Sequence, residues 1–523
     1  MRSPALRIIR ILFAAGMLVL VSLLFIDIRH IIPEKLTNCI LFLQFVPSAV
    51  KFISAGVAAS VGFLVIISLT MLTGRSYCSF LCPLGIFQDV FNRTGGLFRR
   101  KLRRFRYTKA HDILRYSVLA ITLVLTMFSG LTLLNFLDPY SVFGRTITYF
   151  GKPVTEIGNN LLASVFTKLD IYTFVHTPVK VFAVSVYIIP AVFLITVAVM
   201  SIIKGRLYCN TLCPVGTFLG LLSKASLLKI RMDKVTCTRC GRCSAACKSS
   251  CIDFMNKEID SSRCVTCFNC LESCPDGAIK YTFPDIKRKT EPDNGTHDSS
   301  KRKVILTTLL FLTGARSIMK GQTNNVPVPK KRSTVKEDRS IPVSPPGSIS
   351  HDHFKSNCTA CSLCISQCPN NVLVPSFREF GLGSLMQPRM DFRSGFCAYE
   401  CTRCIQVCPT GAMMPLIIEA KKLTQIGKAR FIKENCIVNT EKTACGACSE
   451  ACPTKAVHMI PFSGRLVIPE TNDDICIGCG HCENACPTVP FKAIYVIGNT
   501  VHQAAKKPVN TQTDLKKPEE FPF

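Results

Sequence analysis

The chain has 523 residues, 48% of them hydrophobic and 19% charged, with 30 cysteines, no tryptophan and a formal net charge of +29. That length exceeds a single soluble domain, and so apolar a composition excludes a disordered polymer. Disulfide scaffolds belong to short secreted chains, which leaves metal ligation as the reading of the cysteines.

Four apolar runs occupy the first 203 residues: Ile8 to Ile26, Phe52 to Leu72, Ile113 to Leu134, and Val181 to Ile203. Each is about 19 to 23 residues long, enough at ~1.5 Å per residue to cross a hydrocarbon core of roughly 30 Å. They predict a four-helix transmembrane domain over residues 1–234. No small-residue cleavage site follows the first run, so it reads as a span and not a signal peptide. Arg2, Arg7 and Arg10, and the nine basic residues of the second loop, among them Arg99, Arg100, Lys101, Arg103, Arg104 and Arg106, place those segments in the cytoplasm. Such a patch beside a membrane helix suits anionic lipid headgroups, and no nucleic acid is expected.

An internal repeat sets the plan of this domain. GRSYCSFLCPLGIF at 74–87 matches GRLYCNTLCPVGTF at 205–218 in nine of fourteen positions, so the unit reads as two similar helix pairs. Each copy carries a CxxxCP motif. At i, i+4 on a helix, Cys78 and Cys82, and likewise Cys209 and Cys213, share a face. If the repeats pack about a pseudo-twofold axis, the four thiols form an extra redox or metal site. The plainer alternative is helix punctuation, with Pro83 and Pro214 ending the helix. Cys39 stands alone and reads as a plain thiol.

Twenty-four cysteines fall into six quartets, each ending C-x3-C. Two lie in a predicted two-cluster ferredoxin domain at 235–283: Cys237, Cys240, Cys243, Cys247, and Cys264, Cys267, Cys270, Cys274. A linker is expected at 284–357, with a short export-signal-like apolar stretch at 304–315 that follows Lys301 and Arg302. A four-cluster ferredoxin domain follows at 358–500. Its quartets are Cys358, Cys361, Cys364, Cys368; Cys397, Cys401, Cys404, Cys408; Cys436, Cys445, Cys448, Cys452; and Cys476, Cys479, Cys482, Cys486. A disordered tail is expected at 501–523. The C-x2-C-x2-C rhythm wraps a [4Fe-4S] cubane, and a zinc ribbon would need only two CxxC pairs. About six clusters follow, and counting their ligated thiolates lowers the net charge to roughly +17.

In two-cluster ferredoxins the fourth cysteine of each run ligates the other cluster. This assigns Cys274 to the Cys237 set and Cys247 to the Cys264 set, with Cys251 a rival for the latter place. Later quartets pair adjacently in the simplest scheme, and spacing leaves nested pairing open. Neither c-type haem attachment nor a GxGxxG or Walker motif occurs, so no site for nucleotide hydride chemistry is visible.

GRSYCSFLCPLG, LDPYSVFG, GRLYCNTLCP and the first two quartets resemble the NapH family of membrane ferredoxins, over residues 1 to 283. The later quartets resemble NapG-type four-cluster ferredoxins, so the chain is similar to a NapH–NapG fusion, a polyferredoxin. The resemblance implies a quinol dehydrogenase component in a bacterial inner membrane, oxidising menaquinol or ubiquinol and passing electrons to a partner reductase or cytochrome. It also implies a C-terminal module in the periplasm, with retention in the cytoplasm the alternative, while the basic loops place the first ferredoxin domain in the cytoplasm. A quinol site needs a titratable group near a membrane surface, for which Asp138 and His111 are candidates. Competing readings are an assembly factor reducing a metal centre in a partner protein, as in the related CcoG-type polyferredoxins, and ferredoxin-fed quinone reduction.

Overall fold

The computed structural model describes residues 4–27, 31–55, 61–98, 105–170, 172–283 and 334–507. The export-signal-like stretch, the basic run from Arg99 to Arg104 and the tail beyond 507 lie outside them.

The first apolar run forms helix α1 (Pro4–Ile26). After it come α2 (Glu34–Phe42) and α3 (Phe45–Ala55), bent by 95° at their junction, and α4 (Gly62–Thr73). A short α5 (Tyr77–Phe80) leads into α6 (Pro83–Phe98). Then come α7 (Asp112–Ser129), α8 (Thr132–Leu137), α9 (Pro139–Thr146) and, after a π turn at Ile147–Gly151, α10 (Lys152–Thr167). The last run gives α11 (Val184–Lys204), followed by α12 (Leu207–Thr211) and α13 (Pro214–Ser223).

Two helices among the described residues, α1 and α11, are long and apolar enough to cross a membrane, or three spans if the bent α2–α3 pair counts as one. The described residues therefore do not establish the expected four-helix transmembrane unit. The run from Phe52 to Leu72 is divided between α3 and α4. The run from Ile113 to Leu134 breaks at Gly130, whose φ of +79° ends α7. The first turn of α7 also carries Asp112 and Arg115, and the fully buried Arg115 donates to Ser262 Oγ at 3.2 Å. That turn is anchored on protein, not on lipid.

The first soluble module begins earlier than expected, with β1 (Lys229–Met232). It continues through α14 (Arg242–Ala246), the β2 (Ile252–Asp253) and β3 (Glu258–Ile259) pair and α15 (Asn269–Ser273) to β4 (Ile279–Thr282), which closes antiparallel on β1. The C-terminal module pairs β5 (Leu373–Pro375) with β6 (Pro388–Met390), β7 (Thr424–Phe431) with β10 (Ile494–Ala504), and β8 (Val457–Ser463) with β9 (Leu466–Thr471). Residues 334–357, expected as linker, belong to this module. Asn435 accepts from the amide of Val335 at 3.0 Å, and buried Glu337 accepts from the amide of Lys492 at 2.8 Å. The module also runs past 500, through β10 to Lys506, which pairs with Asp474.

These modules dock at opposite ends of the two long helices. At the start of α1, Arg7 pairs with Glu272 of the first module. Near its end, the Leu24 carbonyl accepts from Gln367 of the C-terminal module at 2.6 Å. Seventeen residues of helix separate the two contacts, roughly 26 Å. Helix α11 runs the other way. Gly205, which ends it, packs against the Lys248 carbonyl, and Val186 near its start shares a core with Ala360 and Met386.

Candidate iron–sulfur and thiol sites

Each C-x2-C-x2-C run takes an alternating backbone that its spacing dictates. The second and fourth residues after the first cysteine are left-handed: Arg239 (+56°) and Gly241 (+73°), Thr266 (+46°) and Phe268 (+62°), Ala360 (+51°) and Ser362 (+65°), Gly478 (+73°) and Gly480 (+76°). Alternation of this kind turns successive N–H groups inward into an anion-binding nest, as where Ala360 N donates to Cys358 Sγ at 3.5 Å. A non-glycine residue in this conformation costs about 1 kcal/mol, so a bound anion of high charge is the natural compensation. The quartets with longer first gaps lack this pattern, with Thr402 at −118° and Gly446 at −132°.

Six groups of four thiols come together. Cys243 lies within electrostatic reach of Cys237, Cys240 and Cys274, and these four line one cavity. Cys270 is placed likewise with Cys264, Cys267 and Cys247. In the C-terminal module Cys364 groups with Cys358, Cys361 and Cys408, and Cys404 with Cys397, Cys401 and Cys368. Cys448 groups with Cys436, Cys445 and Cys486, which line a second cavity, and Cys482 with Cys476, Cys479 and Cys452. The fourth cysteine is thus exchanged between adjacent quartets in all three pairs. Burial, reinforced by neighbouring thiols, pushes Cys243 and Cys397 up to about 11 and Cys448 and Cys479 up to about 12. Free thiols here would be neutral, and iron would displace their protons. The all-thiol donor sets and inward amides fit cubanes. Among the described residues no group of His, Cys, Asp or Glu converges tightly enough for a single metal ion, and ligands to different irons of a cubane stand further apart than that.

Cys251 touches two of these ligands. Its Sγ lies 3.5 Å from Cys247 Sγ, and it also bonds Cys264. Its hydrogen bond, against the opposing push of burial and with help from the amides of Cys251, Ser249 and Ser250, draws Cys247 down to about 7.

The CxxxCP cysteines do not share a face of one helix. The chain breaks after α5 and after α12, where the Cys82 amide donates to the Tyr77 carbonyl at 2.9 Å and the Cys213 amide to that of Tyr208 at 3.0 Å. Pro83 and Pro214 do not end these helices but begin α6 and α13, at the first position, where a missing N–H costs nothing. The new N-termini point at sulfur: Gly85 N donates to Cys82 Sγ at 3.4 Å and Gly216 N to Cys213 Sγ at 3.3 Å. The two repeats interlock by exchange. Arg75 donates to the Cys209 carbonyl at 3.2 Å, and Arg206 to the Cys78 carbonyl at 2.6 Å. Cys82 thereby comes within electrostatic reach of Cys78, Cys209 and Cys213. Sequence reasoning passed over both arginines, although the Gly-Arg before each CxxxCP motif is duplicated with it.

Asp138 is fully buried. It caps α9 by accepting from the Ser141 amide at 2.9 Å and the Ser141 hydroxyl at 2.6 Å. His111 lines a small basic pocket with Lys109, Lys204 and Arg263. Cys39 is exposed on α2.

Two protein-family profiles match the chain. A 4Fe-4S binding domain matches residues 55–104 and again 187–233, and a 4Fe-4S dicluster domain matches 236–290, 357–412 and 442–489. The chain is 29% identical over 196 residues to the methylamine utilization ferredoxin-type protein MauN of Methylorubrum extorquens, which covers 37% of this chain and 55% of that one. It is 28% identical over 136 residues to the ferredoxin-type protein NapF of Escherichia coli, 26% of this chain and 74% of that one. To MauM of Methylobacillus flagellatus it is 30% identical over 141 residues, 26% of this chain and 59% of that one. It thus spans little more than half the length of MauN and MauM. No solved structure matches it. Nests, exchanged quartets and these matches agree: the chain carries 4Fe-4S binding domains and is related to ferredoxin-type proteins.

Proposed function

We propose that this protein is a membrane-bound relay of the NapH–NapG kind, which takes electrons from the quinol pool and hands them to a partner reductase or cytochrome. The observation that carries the reading is the placement of α1 and α11. Each is long and apolar enough to cross a bilayer, and each has one end against the first module and the other against the C-terminal module. With the basic N-terminus in the cytoplasm, the first module is cytoplasmic and the C-terminal module lies on the outer face of a bacterial inner membrane.

The six groups of cysteines hold six [4Fe-4S] clusters, which supply one-electron carriers when bound. Oxidation of one quinol releases two electrons and two protons and leaves a quinone. The electrons enter the relay one at a time, and the protons pass through titratable groups at the membrane surface to water. Of the thiols that would hold these carriers Cys240 is exposed and the others are buried or half-buried, and the inward amides would tune their potentials.

The test is anaerobic. The full chain in lipid, with its clusters oxidised, is mixed with menaquinol and followed by electron paramagnetic resonance. Reduced signals within seconds are expected. No reduction by menaquinol, with ready reduction by dithionite, would overturn quinol as the donor.

A further inference from the structure

We propose that Cys78, Cys82, Cys209 and Cys213 jointly bind one further iron–sulfur cluster inside the helical unit, and that this site joins the two ferredoxin modules into a single electron path through the membrane. The inference rests on the membrane-relay reading but not on quinol as the donor.

The charge around these thiols points to a bound anion. Arg75 is fully buried, and no carboxylate among the described residues pairs with it. Its guanidinium donates to Asn210 Oδ1 and the Ser262 carbonyl, each at 2.9 Å, to the Cys209 carbonyl, and to Cys78 Sγ at 3.8 Å, while its Nε has no partner. The repeat partner of Arg75, Arg206, is paired with Asp89 at 3.0 and 2.9 Å. The second repeat has Gly220 where the first has Asp89, so Arg75 receives no matching carboxylate. Asp89 is itself shared among Arg206, Arg10 and Lys248. An interior with this excess of positive charge is costly to desolvate, and four neutral thiols or two disulfides would leave it uncompensated. A cubane on four thiolates, of net charge about −2, offsets it.

The donors at the sulfurs are equally specific. Two helix N-termini supply Gly85 N and Gly216 N, and Gln88 Nε2 donates to Cys209 Sγ at 3.3 Å. Amides at helix starts and a side-chain N–H on sulfur stabilise thiolate ligands. The four cysteines are also the only ones in the two stretches that match the 4Fe-4S binding domain outside the ferredoxin modules.

Position supplies the function. Between Cys78 and Cys82, Ser79 donates to the Val265 carbonyl at 2.7 Å, and the Phe80 ring meets that of Phe268 at 6.5 Å. Both partners lie inside the Cys264–Cys270 run. On the other side Tyr208, beside Cys209, donates to the Leu137 carbonyl at 3.0 Å and lies within electrostatic reach of Asp138 and Arg145. Tyr140 in turn lies within reach of Cys361 and Cys408, and Gly144 packs directly on the Cys361 carbonyl. One continuous core holds Cys267, Cys82, Cys213 and Cys361.

Two measurements test this. The first is iron and sulfide per chain for the reconstituted protein and for Cys82→Ser/Cys213→Ser. The variant should lose about four irons, with helix content unchanged by circular dichroism; unchanged iron overturns the proposal. If that variant does not fold, Arg75→Gln keeps every ligand and removes one positive charge. A single component of the redox titration should then move to lower potential while the others stay, and a titration with no component moved overturns the site.

The second measurement tests the path. Full-length protein is placed in phosphatidylethanolamine–phosphatidylglycerol vesicles with ferricyanide trapped inside, an uncoupler present and dithionite added outside. Dithionite is oxidised to sulfite, each ferricyanide gains one electron, and the uncoupler carries compensating protons. Bleaching at least tenfold faster than with the cysteine variant is expected, and equal rates would overturn the transmembrane path. The iron count judges the site alone, menaquinol judges the donor, and the vesicles judge the route, so failure of one is told apart from failure of another.

Discussion

Cys247 and Cys251 compete for one place beside the Cys264–Cys270 run. Sulfurs bound to different irons of a cubane stand beyond van der Waals contact, yet Cys251 lies 3.5 Å from Cys247 and also bonds Cys264. Only one of the two can therefore ligate, and the grouping of Cys270 with Cys264, Cys267 and Cys247 makes Cys247 the expected ligand and Cys251 its S–H donor. Cys251→Ala should keep its full iron content while lowering that cluster's potential by the worth of one hydrogen bond, ~1 kcal/mol per electron. Cys247→Ala should lose the cluster. Iron analysis with redox titration decides, and the reverse pattern would make Cys251 the ligand. A second single-residue test is Gly478. It is left-handed, and a Cβ there would meet the backbone N and O of Gly427 in β7 at 2.6 Å. A strand backbone cannot yield as a flexible side chain can. Gly478→Ala should cost about 3 kcal/mol or more, read as an early melt of the C-terminal module with loss of iron.

At the level of elements, Asp89 ties α6 to three neighbours through Arg10 of α1, Arg206 before α12 and Lys248 of the first module. Asp89→Asn would leave three cations crowded around a neutral amide. Breaking a largely buried ion cluster from one side costs about 3 kcal/mol or more, and here the first module should loosen from the helices before it unfolds. Limited proteolysis at the 224–228 connection should accelerate in the variant, while an unchanged rate would mean the backbone contacts alone suffice. The grouping of the cysteines into quartets was legible because their spacing is local. α1 and α11 were legible because unbroken apolar runs propagate as helix. The division of Phe52–Leu72 and the break at Gly130 were not, because hydropathy counts residues and does not register a left-handed glycine or a first turn anchored by Arg115. The CxxxCP motif misled for a related reason. The leading reading ran one helix through both cysteines and the alternative took proline as a stop, although the same residue at a first helical position is a start. The strap at 334–357 looked like linker because Glu337 and Ser350 are polar, and only the fold shows what they bond to.

For the whole molecule, the two long helices turn local packing into a statement about sidedness. Both candidate spans have their ends capped by different modules, so crossing a bilayer once must separate the modules by its full thickness. A chain with both modules on one face would need α1 to leave either Glu272 or Leu24's partner Gln367 behind. The prediction is read by trypsin. Lys442 and Arg465 are exposed on the C-terminal module, and Lys234 and Arg239 on the first. In intact spheroplasts expressing the chain, cleavage should fall at Lys442 and Arg465 and spare Lys234 and Arg239; in inverted vesicles the pattern should reverse. Cutting of both sets from the same side would put both modules on one face and leave α1 and α11 as interfacial helices. The result bears directly on energetics. With donor and acceptor modules on opposite faces, each electron that moves between them also moves charge across the membrane, worth ~2.3 kcal/mol per 100 mV. Turnover of the relay in sealed vesicles should therefore slow as a membrane potential builds and recover when an ionophore collapses it.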